Sequence, residues 1–394
     1  MNRRHLLKAF AALPLASAVG NLFAAPVTKT RLLVVFLRGG YDACNLLVPI
    51  SSPFYYDMRP HIAIPRPSTD LHSAISLSPD WGLHPALRES IYPLFAAGQL
   101  AFIPFAGTDD ASRSHFETQD GIELGQSFDR HRDFRSGFLN RLAATLNGVA
   151  SISFTEQLPL IMQGALHIPN AALRTIGKSE LDARQSKIIA SMYQGQALAR
   201  QVDDGFSVRD DVMREMAGEM DAANRNAVSA QGFELVARRI ATLMKDKYNI
   251  GFVDVGGWDT HVGEGGPTGY LAGRFDELGR ALAAFAHEMG NDWRETVTVV
   301  MSEFGRTVRE NGNRGTDHGH GTVYWVLGGG IRGGAILGEQ VRVDHSSLFQ
   351  HRDYPVRNEY RALLGGLFAR LYGMNAGQID RIFPGVRPRD LGIA

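Results

Sequence analysis

Seven acids and histidines stand in glycine-rich stretches where they could hold a metal ion. Asp42 closes Arg38-Gly39-Gly40-Tyr41-Asp42, and Asp259 and His261 close Gly256-Gly257-Trp258-Asp259-Thr260-His261. Glu303 opens Glu303-Phe304-Gly305-Arg306-Thr307, while Asp317, His318 and His320 lie in Thr316-Asp317-His318-Gly319-His320-Gly321. Carboxylates mixed with imidazoles suit Zn²⁺, Mn²⁺ or iron, whereas an all-oxygen set would suit Mg²⁺ or Ca²⁺. Donors two residues apart, as in Asp259-Thr260-His261 and His318-Gly319-His320, can face one ion from extended backbone. Taken singly, each residue has an ordinary reading, since Asp caps turns and helices and His satisfies local hydrogen bonds. Their recurrence beside successive apolar segments favours one shared polar site, and the expected cofactor is a divalent metal, Zn²⁺ or Mn²⁺, as one or two ions.

A second centre is Ser112-Arg113-Ser114-His115, which offers hydroxyls, a cation and an imidazole. It reads either as a nucleophile or phosphate clamp, or as a polar turn whose serines bond their own backbone. Arg306 and Arg38 could grip an oxyanion or pair with Glu303 or Asp42. Cys44 leads into an apolar run and reads as packed. His84 precedes Pro85 at a helix lead-in and reads as structural. Gly328-Gly329-Gly330-Ile331-Arg332-Gly333 matches the glycine pattern of dinucleotide-binding turns but follows the last strand and has no helix after it.

The elements that must position these groups are five short apolar runs: Arg31 to Leu37, Leu100 to Phe105, Asn249 to Val255, Thr296 to Met301 and Thr322 to Leu327. Runs of this length, bounded by Gly, Asp or Ser, predict buried strands of a mainly parallel sheet. Phe233 to Met244 and Leu271 to Met289 have apolar residues at helical spacing, the second ending near Gly290. The expected class is α/β, doubly wound, with helices on both faces. In such a sheet ligands bind beyond the carboxyl ends of the strands, where the polar motifs fall. Residues 179–226 are rich in Ala, Gln, Met, Arg and Asp at helical spacing and predict a helical insertion. One domain over 26–394 is expected, elaborated in its middle.

Charge is balanced at 41 basic and 41 acidic residues, so no net field favours nucleic acid or an anionic membrane. The single cysteine excludes an intramolecular disulfide, and the 44% apolar content must supply the core instead. Arg3-Arg4, the apolar stretch after Lys8 and Leu22-Phe23-Ala24 read as a twin-arginine export signal over residues 1–25. Pro14 and Gly20 interrupt that stretch, which argues against a stable membrane anchor. The expected location is periplasmic or secreted, with the twin-arginine translocase as the partner during export.

Leu37-Arg38-Gly39-Gly40-Tyr41-Asp42, Leu83-His84-Pro85-Ala86-Leu87, Ser112-Arg113-Ser114-His115-Phe116, Gly257-Trp258-Asp259-Thr260-His261, Ser302-Glu303-Phe304-Gly305-Arg306-Thr307 and Asp317-His318-Gly319-His320-Gly321 resemble the bacterial family called domain of unknown function 1501. The likeness covers essentially the whole chain after the signal. That family is in turn similar to the alkaline phosphatase and sulfatase superfamily, which implies an α/β sheet, bound metal and hydrolysis of phosphate or sulfate esters. The resemblance makes Asp42 the first-strand metal aspartate and Asp259 with His261 the next ligand pair. It makes Ser114, and after it Ser112, the nucleophile, with His115, Arg113 or Arg306 stabilising charge. Where the superfamily has an Asp-His pair after the fourth apolar run, this chain has Glu303-Phe304, and Asp317, His318 and His320 stand in the next loop to compensate. The implied ligand is a small anionic ester or glycan. The alternative is an exported binding or assembly protein with a degenerate site.

Overall fold

Strand β1 (Arg31–Leu37) carries no charge after its first residue and becomes the centre of an eight-stranded sheet. A computed structural model describes residues 28–127, 132–173, 191–196, 198–202, 204 and 232–394. The expected export signal, and the expected helical insertion apart from 191–196, 198–202 and 204, lie outside the described residues. Short strands β2 (Leu47–Val48), β3 (Ile75–Ser76) and β4 (Gly82–Leu83) form a separate antiparallel sheet. The main sheet adds β5 (Leu100–Gly107), β6 (Ser151–Ser153), β7 (Ile250–Val255), β8 (Thr296–Ser302), β9 (Thr322–Gly328), β10 (Ala335–Ile336) and β11 (Asn358–Glu359). Its order is β10-β5-β9-β8-β1-β7-β6, with β11 also on β5.

The strand interiors read as unbroken apolar runs because both faces are covered. Side chains alternate between faces, so Leu33, Val35 and Leu37 join one core and Leu32, Val34 and Phe36 the other. The first core receives helices α3 (Phe233–Asp246) and α4 (Tyr270–Met289) through Ile240, Phe275 and Leu282. The second receives α2 (Phe138–Thr145), α5 (Tyr360–Tyr372) and α6 (Ala376–Ile382) through Leu142, Phe368 and Ile379. Each such aliphatic or aromatic side chain is worth roughly 1.5–3 kcal/mol when fully buried. Gly290, at φ +56, ends α4 where a side chain would be strained.

Pairing is parallel except at β9, which runs antiparallel to both β8 and β5. The carboxyl ends of β1, β5, β7 and β8 therefore share one edge with the amino end of β9. Residues 303–321 leave and re-enter the sheet at that edge. All five polar motifs are thereby delivered to one side of the molecule. Among the described residues, no helix is long and apolar enough to cross a membrane.

Candidate metal centre

Helix α1 (His115–Leu124) starts where Ser114 caps it, its hydroxyl 3.5 Å from the Glu117 amide, and ends at left-handed Gly125. Positions four apart share a helix face, so His115, Gln119 and Glu123 look the same way. The backbone beyond β1 crosses that beyond β7 very closely: a Cβ on Gly39, at φ +123, would sit 2.7 Å from the Asp259 amide nitrogen. Only glycine fits there. A Cβ on Gly319 would lie 2.6 Å from the Arg306 carbonyl, so this glycine lets the His318 loop press onto the segment after β8.

Three imidazoles converge above this edge. His318 Nε2 lies 3.0 Å from His115 Nε2 and 3.1 Å from His261 Nε2. Asp259 Oδ1 is 3.0 Å from His261 Nε2 and 3.2 Å from His318 Nε2, and its Oδ2 is 3.6 Å from His115 Nε2. Each ring is anchored on its far side: His115 Nδ1 is 2.8 Å from Glu303 Oε1, His318 Nδ1 is 3.0 Å from the Arg113 carbonyl, and His261 Nδ1 is 3.3 Å from Asp317 Oδ1. A carbonyl and two carboxylates only accept, so each Nδ1 donates, and each Nε2 of a neutral ring turns a lone pair towards the same place.

Four acceptors facing one another repel unless a cation or proton lies among them. Tetrahedral donors about 2.0–2.1 Å from Zn²⁺ stand roughly 3.3 Å apart, close to the spacing found here. The outer acceptors reproduce the carboxylate–histidine–metal pattern that fixes ring tautomers in metal sites. His115, His318 and Asp259 thus form a group able to hold an ion, with His261 touching two of its members. The Phe304 ring backs both His115 and His318, at centroid distances of 4.9 and 5.1 Å.

The charges are ordered by the same contacts. The Glu303 hydrogen bond, aided by the charges of Glu303 and Asp259, raises the His115 pKa against the opposing effect of burial. Burial, then the His115 charge, lowers that of His318. Burial would raise Asp259, but the hydrogen bond and charge of Arg306, with His261 and His115, hold it below the usual carboxylate range. Glu303 is likewise low despite burial, because His115, Gln119 and the Gly39 amide donate to it.

The remaining candidates take other places. Asp42 does not join the converging donors: it is fully buried and paired through both oxygens with buried Arg59, with Oδ1 2.9 Å from Nη2. Glu303 also stays outside the converging group, since Gly39, His115 and Gln119 occupy one oxygen and the Ser302 hydroxyl the other. Asp317 supports His261 and accepts from Asn311. His320 lies apart, buried against Phe349. Ser112 bonds Asp110 at 3.0 Å and accepts from the Ser114 amide, so the polar-turn reading describes it, as helix capping describes Ser114.

Neither arginine is free for substrate. Arg113 forms a two-point pair with Asp353 and reaches Gln350, while Arg306 is 1% exposed and spans the carbonyls of Gly39, Gly40, Trp258 and Thr316 as well as the Asp259 carboxylate, with its Nη1 3.4 Å from His261 Nε2. Arg306 thereby pins three loops together. Arg38 pairs with Asp254 and Glu123 and bonds Gln119. Sequence reasoning missed Gln119, Arg59 and Asp353. For Gln119 a signal was present: Ser114-His115-Phe116-Glu117 has the spacing of a helix start, which would set His115 and Gln119 on one face.

The molecule is thus an α/β fold of mostly parallel strands with a histidine-rich cluster at one sheet edge. The chain belongs to the family described as Protein of unknown function (DUF1501), matched over residues 29–383. No curated protein matches it. A crystal structure described as Ps i-CgsB in complex with k-i-k-neocarrahexaose aligns with a TM-score of 0.36 and 9% identity, covering 89% of this chain and 74% of that one. A second structure, described as Ps i-CgsB, aligns with a TM-score of 0.33, 11% identity and the same coverages.

Proposed function

We propose that this protein is an exported, metal-dependent hydrolase of a phosphate or sulfate ester on an alkaline-phosphatase-like fold. The observation that carries the reading is the convergence of three Nε2 lone pairs on the Asp259 carboxylate, each ring locked from behind by an acceptor. His115, His261, His318 and Asp259 would hold one divalent ion, Zn²⁺ or Mn²⁺ by the donor chemistry. Such an ion supplies Lewis-acid polarisation of the ester oxygen and lowers the pKa of water towards neutrality.

The chain itself orients and shields. Glu303, Asp317 and the Arg113 carbonyl fix the rings, and Arg306 keeps the Asp259 carboxylate ionised. Water is the favoured attacking group over Ser114 or Ser112, because both hydroxyls are engaged in local caps. Export through the twin-arginine route, proposed from Arg3-Arg4, would carry the protein folded with its ion.

The test is elemental analysis of protein purified through its native export route, followed by assays on phosphate monoesters, diesters and sulfate esters. One ion per chain and turnover abolished in Asp259→Asn but kept in Ser114→Ala are expected. An ion without turnover would leave a binding role, and no ion with any tested metal would end the reading.

A further inference from the structure

We propose that Asp353, which lies outside the ligand set, is the positioning residue that fixes His318 for the ion; the inference rests on the metal reading of the site. The Asp353 carboxylate is buried, and its Oδ2 accepts from Arg113 Nε at 3.0 Å and Nη2 at 2.7 Å. Its Oδ1 stands 3.2 Å from Arg352 Nε, within ion-pair range though outside hydrogen-bond geometry. One carboxylate therefore gathers two arginines, and each of them grips His318 at a different point. The Arg113 carbonyl accepts from the ring at Nδ1, and Arg352 Nη2 donates to the His318 carbonyl.

Backbone conformation shows that this grip is held against a local cost. Arg113 has φ +56, a left-handed conformation that a non-glycine residue avoids unless its surroundings impose it. That conformation accompanies a carbonyl turned to the imidazole. The turn bringing Asp353 to Arg113 contains two more such residues in succession, Gln350 at φ +52 and His351 at φ +56. It is closed by paired amide bonds between Phe349 and Asp353, of 2.8 and 3.1 Å, and Gln350 adds a side-chain acceptor for Arg113 at 2.6 Å. The turn is also laced to the segment after β8, through Val308 N to Arg352 O at 3.0 Å. Gly321 N to Tyr354 O, at 2.8 Å, ties the next residue to the end of the His318 loop. Positive φ at Arg113 thus coincides with its carbonyl facing His318 Nδ1, and positive φ at Gln350 and His351 with the turn that carries Asp353 to Arg113.

Without the Asp353 charge, Arg113 loses its anchor and its backbone is free to return to negative φ. The His318 ring then has no fixed acceptor at Nδ1 and populates both tautomers, so its Nε2 lone pair no longer always faces the centre. Outer partners of this kind typically change metal affinity 10- to 100-fold.

The experiment compares wild type, Asp353→Asn and Arg113→Met, the second variant serving if the first fails to fold. Two readouts are taken: the neutral His318 ring tautomer, by ¹⁵N NMR of imidazole-labelled, metal-free protein, and Zn²⁺ affinity by chelator competition. Expected are a wild-type ring held as the Nδ1–H tautomer, a mixture in the variant, and Zn²⁺ affinity lowered 10- to 100-fold with unchanged circular dichroism. Unchanged tautomer and unchanged affinity in a folded variant overturn the proposal. Wild type that binds no Zn²⁺, with the tautomer still lost in the variant, overturns the metal reading and leaves the clamp standing.

Discussion

Glu303 illustrates how a buried carboxylate can orient a converging histidine without joining the group itself. Its Oε1 receives His115 Nδ1, Gln119 Nε2 and the Gly39 amide, each at 2.8 Å, so it is an acceptor with a full set of donors. A glutamine there keeps the size but loses the charge, and its amide must turn either an acceptor or a donor to those groups. Glu303→Gln is therefore expected to weaken Zn²⁺ binding 10- to 100-fold, as loss of an outer carboxylate partner does. It should also cost stability, on the order of 1–3 kcal/mol, through the imperfectly satisfied buried donors. Chelator competition and denaturant unfolding measure the two effects. Unchanged affinity with reduced stability would make Glu303 a purely structural acid. Gly39 shows the complementary case, since its value lies in having no side chain where the β1 and β7 loops cross.

At the scale of elements, β1 starts and stops where its apolar run does, and α4 ends at Gly290 as expected, because burial on both faces leaves an uninterrupted hydrophobic signature. The two-residue strands β10 and β11 carry no such signature, being held by pairing with β5 rather than by their own composition. The site was legible to the extent that its donors flank strand ends. Which donors converge was not, because Arg59 takes up Asp42 while Gly39 and Gln119 take up Glu303. His84 was read as structural, and it caps the short turn Pro85–Leu87: its Nδ1 accepts from Ala86 N at 3.1 Å and its Nε2 donates to the Gly266 carbonyl at 3.1 Å. Burial lowers its pKa from the ordinary 6.5 to about 4. Protonation would remove the acceptor that the Ala86 amide needs. The depressed pKa means that the unfolded chain binds the proton more readily, so this contribution is complete above pH 6.5 and is lost as pH falls towards 4. Between pH 7.5 and pH 5 the loss should be about 2 kcal/mol, at about 1.4 kcal/mol per unit. The stability gap between wild type and His84→Gln, from denaturant unfolding, should shrink by that amount. A gap independent of pH would mean that His84 titrates normally.

Across the whole molecule, the sheet edge that carries the converging histidines is stitched together by two buried arginines. Arg306 joins the loops after β1 and β7 to the one before β9, beside the ion position. Arg59 does the equivalent one layer deeper, binding Asp42 and Asn45 on one side and the carbonyls of Thr307 and Val308 on the other. Next to this pair, burial and then the negative charge of Asp42 push Glu264 well above the usual carboxyl range, and Asn45, Thr260 and Thr316 donate to its oxygens. Arg59 and Asp42 thus set one positive charge directly against one negative charge, both fully buried. Removing either alone leaves the other uncompensated, which typically costs 3–5 kcal/mol, whereas removing both is far less damaging. Arg59→Met should accordingly lose about 3–5 kcal/mol in denaturant unfolding, and Arg59→Met with Asp42→Asn should recover much of it. Asp42→Asn alone should be destabilised yet retain one ion per chain by elemental analysis, whereas Asp259→Asn should lose the ion, with a loss of stability of its own because Asp259 is the acid paired with buried Arg306. Loss of the ion in a folded Asp42→Asn variant would return Asp42 to the ligand set and imply that Arg59 yields its place when metal binds.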